Sequence, residues 1–116
     1  MVAPAASGRC TCFRIRKLAR LMTQQYDRAL APVGINVNQY SILRNASIEP
    51  RSIKVLADHL GMDRTTLTRD LRPLAAAGWI QVITGIDARQ RLVMTTAEGS
   101  ALLHKALPYW QQAQSM

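Results

Sequence analysis

Apolar residues recur at helical spacing from Cys12 to Ala31, where Ile15, Leu18, Met22 and Ala29 keep one face and Leu21 and Leu30 widen it. That period predicts a long amphipathic helix, stopped by Pro32 and Gly34. A second helix is expected after Asn36, with Asn36 and Gln39 at capping-box spacing, Tyr40, Leu43 and Ala46 facing inward, and Pro50 beyond its end. Ser52 can cap a short helix with Ile53, Leu56, Ala57 and Leu60 on one face, which Gly61 ends. Asp63 can cap the next, with Leu67, Leu71, Leu74 and Ala75 as its inward stripe. Trp79 to Thr84 and Arg91 to Thr96 read as two strands around Gly85-Ile86-Asp87-Ala88-Arg89-Gln90. Thr96 can cap a last helix from Ala97, with Leu102, Leu103, Ala106, Leu107 and Trp110 apolar. Interior prolines predict a bend or early end at Pro73, and a kink or split at Pro108.

The outward face of the helix after Asp63 carries Thr65, Thr68, Arg69 and Arg72, a mixture of hydroxyls and guanidinium groups that suits phosphates and base edges. A short helix, a second helix with such a face and a hairpin follow one another over Ser52 to Thr96, at helix-turn-helix-plus-wing spacing. The expected fold is therefore mainly α with a small β-hairpin wing (α+β). Residues 36–96 would form the winged unit, 12–34 and 97–116 terminal helices, and 1–11 a frayed tail, all within one domain over 1–116. The terminal helices are too apolar on one side to stand alone. They pack either on their own winged unit or against symmetry mates, and the second option gives a two-fold dimer with two reading helices facing successive major grooves. Leu102, Leu103 and Trp110 are placed in or near that contact.

Charge strengthens the DNA-binding expectation. The 116 residues hold 15 basic and 7 acidic groups, a net charge of +8, and polyanion partners are favoured because neutralised phosphates release counterions. Seven basic and two acidic residues fall in 1–50, seven and four in 51–91, and the remainder balances. No apolar run suffices for a membrane span, and the first residues lack the pattern of a secretion signal, so the expected location is the cytoplasm. His59 and His104 have no partners at metal spacing, and no Gly-rich phosphate loop, nucleophile elbow or carboxylate pair is present; neither a cofactor, a metal site nor an enzyme is expected.

With these elements in order, and with Asp87-Ala88-Arg89 in the wing followed by Thr96-Ala97-Glu98-Gly99, the chain resembles the MarR family of bacterial winged helix-turn-helix regulators from about Cys12 onward. The resemblance implies an obligate dimer that represses genes from a palindromic operator and is released by a phenolic ligand, a metal or thiol oxidation. Such proteins usually continue for about another helix, whereas this sequence stops at Met116 within a helical pattern.

Residue by residue, Arg64, Thr65, Thr66, Thr68, Arg69 and Arg72 are expected at the DNA, with Thr65, Thr66 and Arg69 reaching bases and nothing beyond Pro73 doing so. Thr66 has the alternative of local capping through its hydroxyl. Ser52 and Lys54 would reach phosphates and Arg89 the minor groove, while Arg91 touches the backbone or is solvated. Asp87 has a structural part, pairing with a nearby arginine and accepting turn amides.

Cys10 and Cys12 bear on the signal. Cys12-Phe13, Tyr26 and Gln39-Tyr40 are similar to the organic-hydroperoxide-sensing branch of the family, which implies a reactive Cys12 with the Tyr26 hydroxyl beside it. Arg16 replaces the tyrosine that the branch carries four residues after its cysteine, and with the helix N-terminus it would favour the thiolate. The other readings are a changed ligand pocket, a small buried thiol, or capture of a soft metal by both cysteines. A non-specific architectural protein would use the same basic surface.

Overall fold

The computed structural model describes residues 10–115; of the expected N-terminal tail, residues 1–9 lie outside that span. Helix α1 (Thr11–Leu30) begins one residue before its expected start at Cys12. A 3-10 turn (Ala31–Val33) follows, closed by Gly34 at φ 84°, a left-handed conformation that favours glycine. Helix α2 (Val37–Ile48) starts with a reciprocal box, in which Gln39 N donates to Asn36 Oδ1 at 2.8 Å and Asn36 N donates to Gln39 Oε1 at 3.0 Å. Helix α3 (Ile53–Leu60) is capped by Ser52 and ended by Gly61, and helix α4 (Arg64–Ala76) is capped by Asp63. Strands β2 (Ile80–Thr84) and β3 (Arg91–Thr95) form the wing, and helix α5 (Ala97–Gln114) completes the described chain.

Three local expectations need correction in whole or in part. Of the alternatives at the two prolines, the early end and the split do not occur: helix α4 runs on past Pro73 to Ala76, and α5 runs through Pro108 to Gln114. Each proline removes a bond to the carbonyl four residues back, but Pro73 and Arg69 are exposed, as are Pro108 and His104, so water can serve the freed oxygens. Ala75, expected inward, is exposed, because the core below α4 is already filled by Leu67, Leu71 and Leu74.

The hairpin gains a third strand that no periodicity could show. Strand β1 (Arg51–Ser52) pairs antiparallel with β3, Ser52 opposite Leu92, in a sheet of order β1-β3-β2. Ser52 thus belongs to the sheet and also caps α3, accepting from Val55 N at 3.1 Å. This two-residue strand ties the base of the wing to the start of the helix-turn-helix.

Two apolar clusters hold these elements. The larger joins Ile42, Leu43 and Ala46 of α2, Leu56 and Ala57 of α3, and Leu67, Leu71 and Leu74 of α4 to Ile80 and Val93 of the sheet. The smaller joins Leu30, Ile35, Tyr40 and Ala106. Leu102 and Leu103 pack on both, and Trp110 packs on the smaller one, its ring stacked on Tyr40 with centroids 5.6 Å apart. These three were expected at a contact between chains. Within one chain they bind α5 to its own core, because α5 crosses above both clusters.

The turn from sheet to α5 shows why a glycine follows Thr96 at this spacing. Thr96 Oγ1 accepts from Gly99 N at 3.0 Å and donates to Gly78 O at 2.7 Å. A Cβ on Gly99 would overlap the Trp79 carbonyl oxygen and come within 2.7 Å of Thr95 Cγ2. Any larger side chain would push α5 away from the sheet.

By contrast, the first half of α1 is uncovered. Ile15 (62% exposed), Leu18 (60%) and Met22 (39%) line one face of it, with Leu21 beside them. Its second half is fastened: Leu30 is fully buried, the Tyr26 hydroxyl hydrogen-bonds Gln114 Oε1, and Gln25 Nε2 donates to Ala113 O at 3.4 Å.

Candidate nucleic-acid interface

Helix α4 owes its position to its buried leucines, and its opposite face is free. Arg64, Thr65, Thr68, Arg69 and Arg72 line one open hollow of about 400 Å³ on that face. A second hollow of about 400 Å³ is walled by Ser52, Ile53 and Lys54 from the start of α3, Arg64 from the start of α4, and Arg89, Gln90 and Arg91 from the wing. Arg64 lines both, so the two hollows join into one surface. The strand pairing of Ser52 with Leu92 brings the wing arginines to the α3 terminus. That surface presents five arginines of α4 and the wing beside Lys54 and two helix N-termini, a set of fixed donors and positive charge that suits a phosphate backbone.

Thr66 stands apart from the other predicted contacts. It is half-buried, its amide donates to Asp63 Oδ1 at 2.7 Å, and its hydroxyl also bonds that carboxylate. Thr66 therefore serves the cap of α4, while Thr65 and Thr68 face outward. The Thr66 amide and hydroxyl, in that order, hold the Asp63 carboxyl below the ordinary aspartate range, against the opposing effect of desolvation and with lesser help from Arg69 and the Thr65 amide.

In the wing, Asp87 Oδ1 accepts the Arg89 amide at 3.0 Å, and the hairpin closes through Gly85 N to Gln90 O and Gln90 N to Asp87 O, both 2.8 Å. Asp87 thus bends the loop so that Arg89 leaves it beside Arg91. Ile86 at the tip is fully exposed.

The residues linked with sensing are not gathered in the same way. Cys10 and Cys12 are exposed free thiols at the start of α1, and Arg16 is exposed one turn further on. Cys12 is therefore not a small buried side chain. Tyr26 was expected beside Cys12, yet both lie on the unbroken α1, which separates them by about 21 Å at 1.5 Å per residue. The Tyr26 hydroxyl is engaged instead by Gln114. Among the described residues no group of three or more His, Cys, Asp or Glu is placed to hold a metal, and no helix is long and apolar enough to cross a membrane.

Two links between helices were not visible in the sequence pattern. Asn38 Nδ2 donates to Asp70 Oδ2 at 3.0 Å, and Val37 N donates to Asp27 Oδ1 at 2.7 Å. Neither pair follows a spacing rule, since each joins different helices.

No family model matches the chain. Over 86 residues, 73% of its length, it is 33% identical to YwoH of Bacillus subtilis (strain 168), an uncharacterised HTH-type transcriptional regulator, and it spans 63% of that protein. The structure is similar to that of the M. tuberculosis transcriptional regulator MosR in complex with DNA, with 40% identity, a TM-score of 0.87, and coverage of 92% of this chain and 79% of MosR. It is also similar to overoxidised AbfR bound to DNA, with 27% identity, a TM-score of 0.77, and coverage of 87% and 76%. Regulators described as MarR family share the fold at lower identity. The helix order, the wing and the 40% identity to a DNA-bound regulator over most of both chains lead to one conclusion: this chain belongs to the MarR family of transcriptional regulators.

Proposed function

We propose that the protein is a homodimeric, sequence-specific regulator that occupies a palindromic operator in cytoplasmic double-stranded DNA, represses transcription there, performs no catalysis, and lets go when Cys12 is oxidised. One observation carries the DNA part: the hydroxyl- and guanidinium-bearing face of α4 is continuous, through Arg64, with the Ser52–Lys54 and Arg89–Arg91 hollow. Within this reading Thr65 and Arg69 meet base edges, Ser52, Lys54, Arg64, Thr68, Arg72 and Arg91 hold the backbone, and Arg89 enters the minor groove. Two copies pair through the uncovered face of α1, which sets the two α4 helices one DNA turn apart. The winged unit spans residues 36–96, and the flanking helices set its place in the dimer.

Oxidation has a natural entry point. The Cys12 thiolate attacks a hydroperoxide, its sulfur gains one oxygen as sulfenic acid, and the peroxide leaves as the alcohol after taking up a proton. Cys12 lies one turn before Ile15, so the added oxygen falls beside the pairing face. The similar regulator AbfR has been solved bound to DNA in a reduced and in an overoxidised form, so oxidation is a state that a regulator of this fold reaches.

The experiment is salt-titrated binding to a duplex that the protein itself enriches from a randomised pool. Arg69→Ala should cost about 1–3 kcal/mol on that duplex and relax one base position per half-site. Lys54→Ala should weaken all sequences alike and lower the salt slope by about 1. An unchanged specific affinity for Arg69→Ala would show that α4 does not dock as proposed.

A further inference from the structure

The first turn of α2 grips two other helices from adjacent residues. Val37 N donates to Asp27 Oδ1 of α1 at 2.7 Å, and Asn38 Nδ2 donates to Asp70 Oδ2 of α4 at 3.0 Å. The reciprocal Asn36–Gln39 box makes this turn rigid, since it fixes the backbone just before and just after both donors. Asp70 follows Arg69 directly but sits about 100° round the helix from it, on the flank of α4 away from the outward face. An acidic side chain on a helix that approaches phosphates is unfavourable unless it is turned aside, and Asn38 holds it aside.

We propose that Asn38 and Asp70 are a positioning pair, which sets the pose of α4 relative to α1 and thereby the separation of the two reading helices in the dimer. The inference rests on the DNA-binding dimer proposed above. Asp27 fastens the same turn of α2 to the half of α1 that follows the pairing face, so a change in α1 is carried to α4 through two hydrogen bonds and one capped turn. An exposed amide–carboxylate hydrogen bond is screened by water and adds only modestly to stability, but it selects one geometry. That geometry counts because the DNA turn sets half-site spacing near 34 Å.

The test uses the full chain and the duplex enriched from a randomised pool, compared with a duplex carrying only one half-site and with variants of the half-site spacing. Asn38→Ala should leave half-site affinity within about twofold, lower full-palindrome affinity by about tenfold and broaden the tolerated spacing. Asn38→Asp, which sets two carboxylates face to face, should do the same or worse. The exchange Asn38→Asp with Asp70→Asn restores an amide–carboxylate pair at constant charge and should recover palindrome affinity and spacing preference. If Asn38→Ala binds the palindrome like the parent chain, or loses half-site and palindrome affinity equally, the pair does not set the spacing. If Asn38→Ala fails to fold, the exchange variant decides, and its failure to recover the spacing preference would overturn the pair. If the parent chain enriches no sequence from the pool, the DNA-binding reading fails first, and the positioning role falls with it.

Discussion

Cys12 and Arg69 show what single side chains add in this protein. Arg69 is aimed by the leucines beneath α4, so its chemistry depends on a buried stripe that touches no DNA. Cys12 is not held by its own chain's Tyr26: it is an exposed free thiol near the start of α1, with Tyr26 about 21 Å further along the same helix. Its proposed role therefore rests on access and on its place beside the pairing face, and not on a prebuilt pocket. In gel-shift assays with an organic hydroperoxide, Cys12→Ser should bind DNA like the parent chain and stay bound, whereas Cys10→Ser should still be released. Release of Cys12→Ser under the same treatment would assign the signal elsewhere.

Helix α4 behaves as an element whose start is set by charge and whose length is set by burial. Asp63 accepts both the amide and the hydroxyl of Thr66, and its carboxyl is held below the ordinary aspartate range of about 3.9. The folded chain thus binds that proton less tightly than the unfolded chain does. The cap's contribution is complete above the ordinary value and disappears as pH falls through the lowered one. Asp63→Asn keeps a capping oxygen but removes the titration. Thermal melts from neutral pH to about pH 3 should therefore show a smaller acid loss in Asp63→Asn than in the parent chain. Equal acid losses would mean that other carboxylates carry the dependence. The other end of α4 follows different rules, since Pro73 does not stop a helix whose freed carbonyl faces water.

The described residues build two filled cores and leave the apolar face of the first half of α1 exposed. Leu102, Leu103 and Trp110 complete the cores, so a polar residue at Leu103 would strike folding before assembly. Ile15, Leu18 and Met22 belong to neither core among the described residues, and three apolar residues in one helical register are what a symmetry mate would cover. Leu18→Glu should sediment as a monomer with the parent's circular dichroism, and should lose about a hundredfold on the palindrome while keeping half-site affinity. A Leu18→Glu dimer of normal strength would move the contact away from this face.

Sequence alone determined the features whose causes lie within a few residues. The caps at Asn36, Ser52, Asp63 and Thr96 bond amides three residues on, the apolar periods match the buried faces of α2, α3 and, Ala75 excepted, α4, and the wing strands form within a residue of their expected ends. The outward row of Arg64, Thr65, Thr68, Arg69 and Arg72 was legible for the same reason, since helical spacing alone puts it on one face. Only the tertiary structure decided the pairing of β1 with β3, the meeting of Asn38 with Asp70, the inward packing of Leu102, Leu103 and Trp110, and the distance of Tyr26 from Cys12. Those depend on where one element lands against another. Periodicity shows that a face is apolar, but which neighbour buries it is settled by the packing of the whole chain.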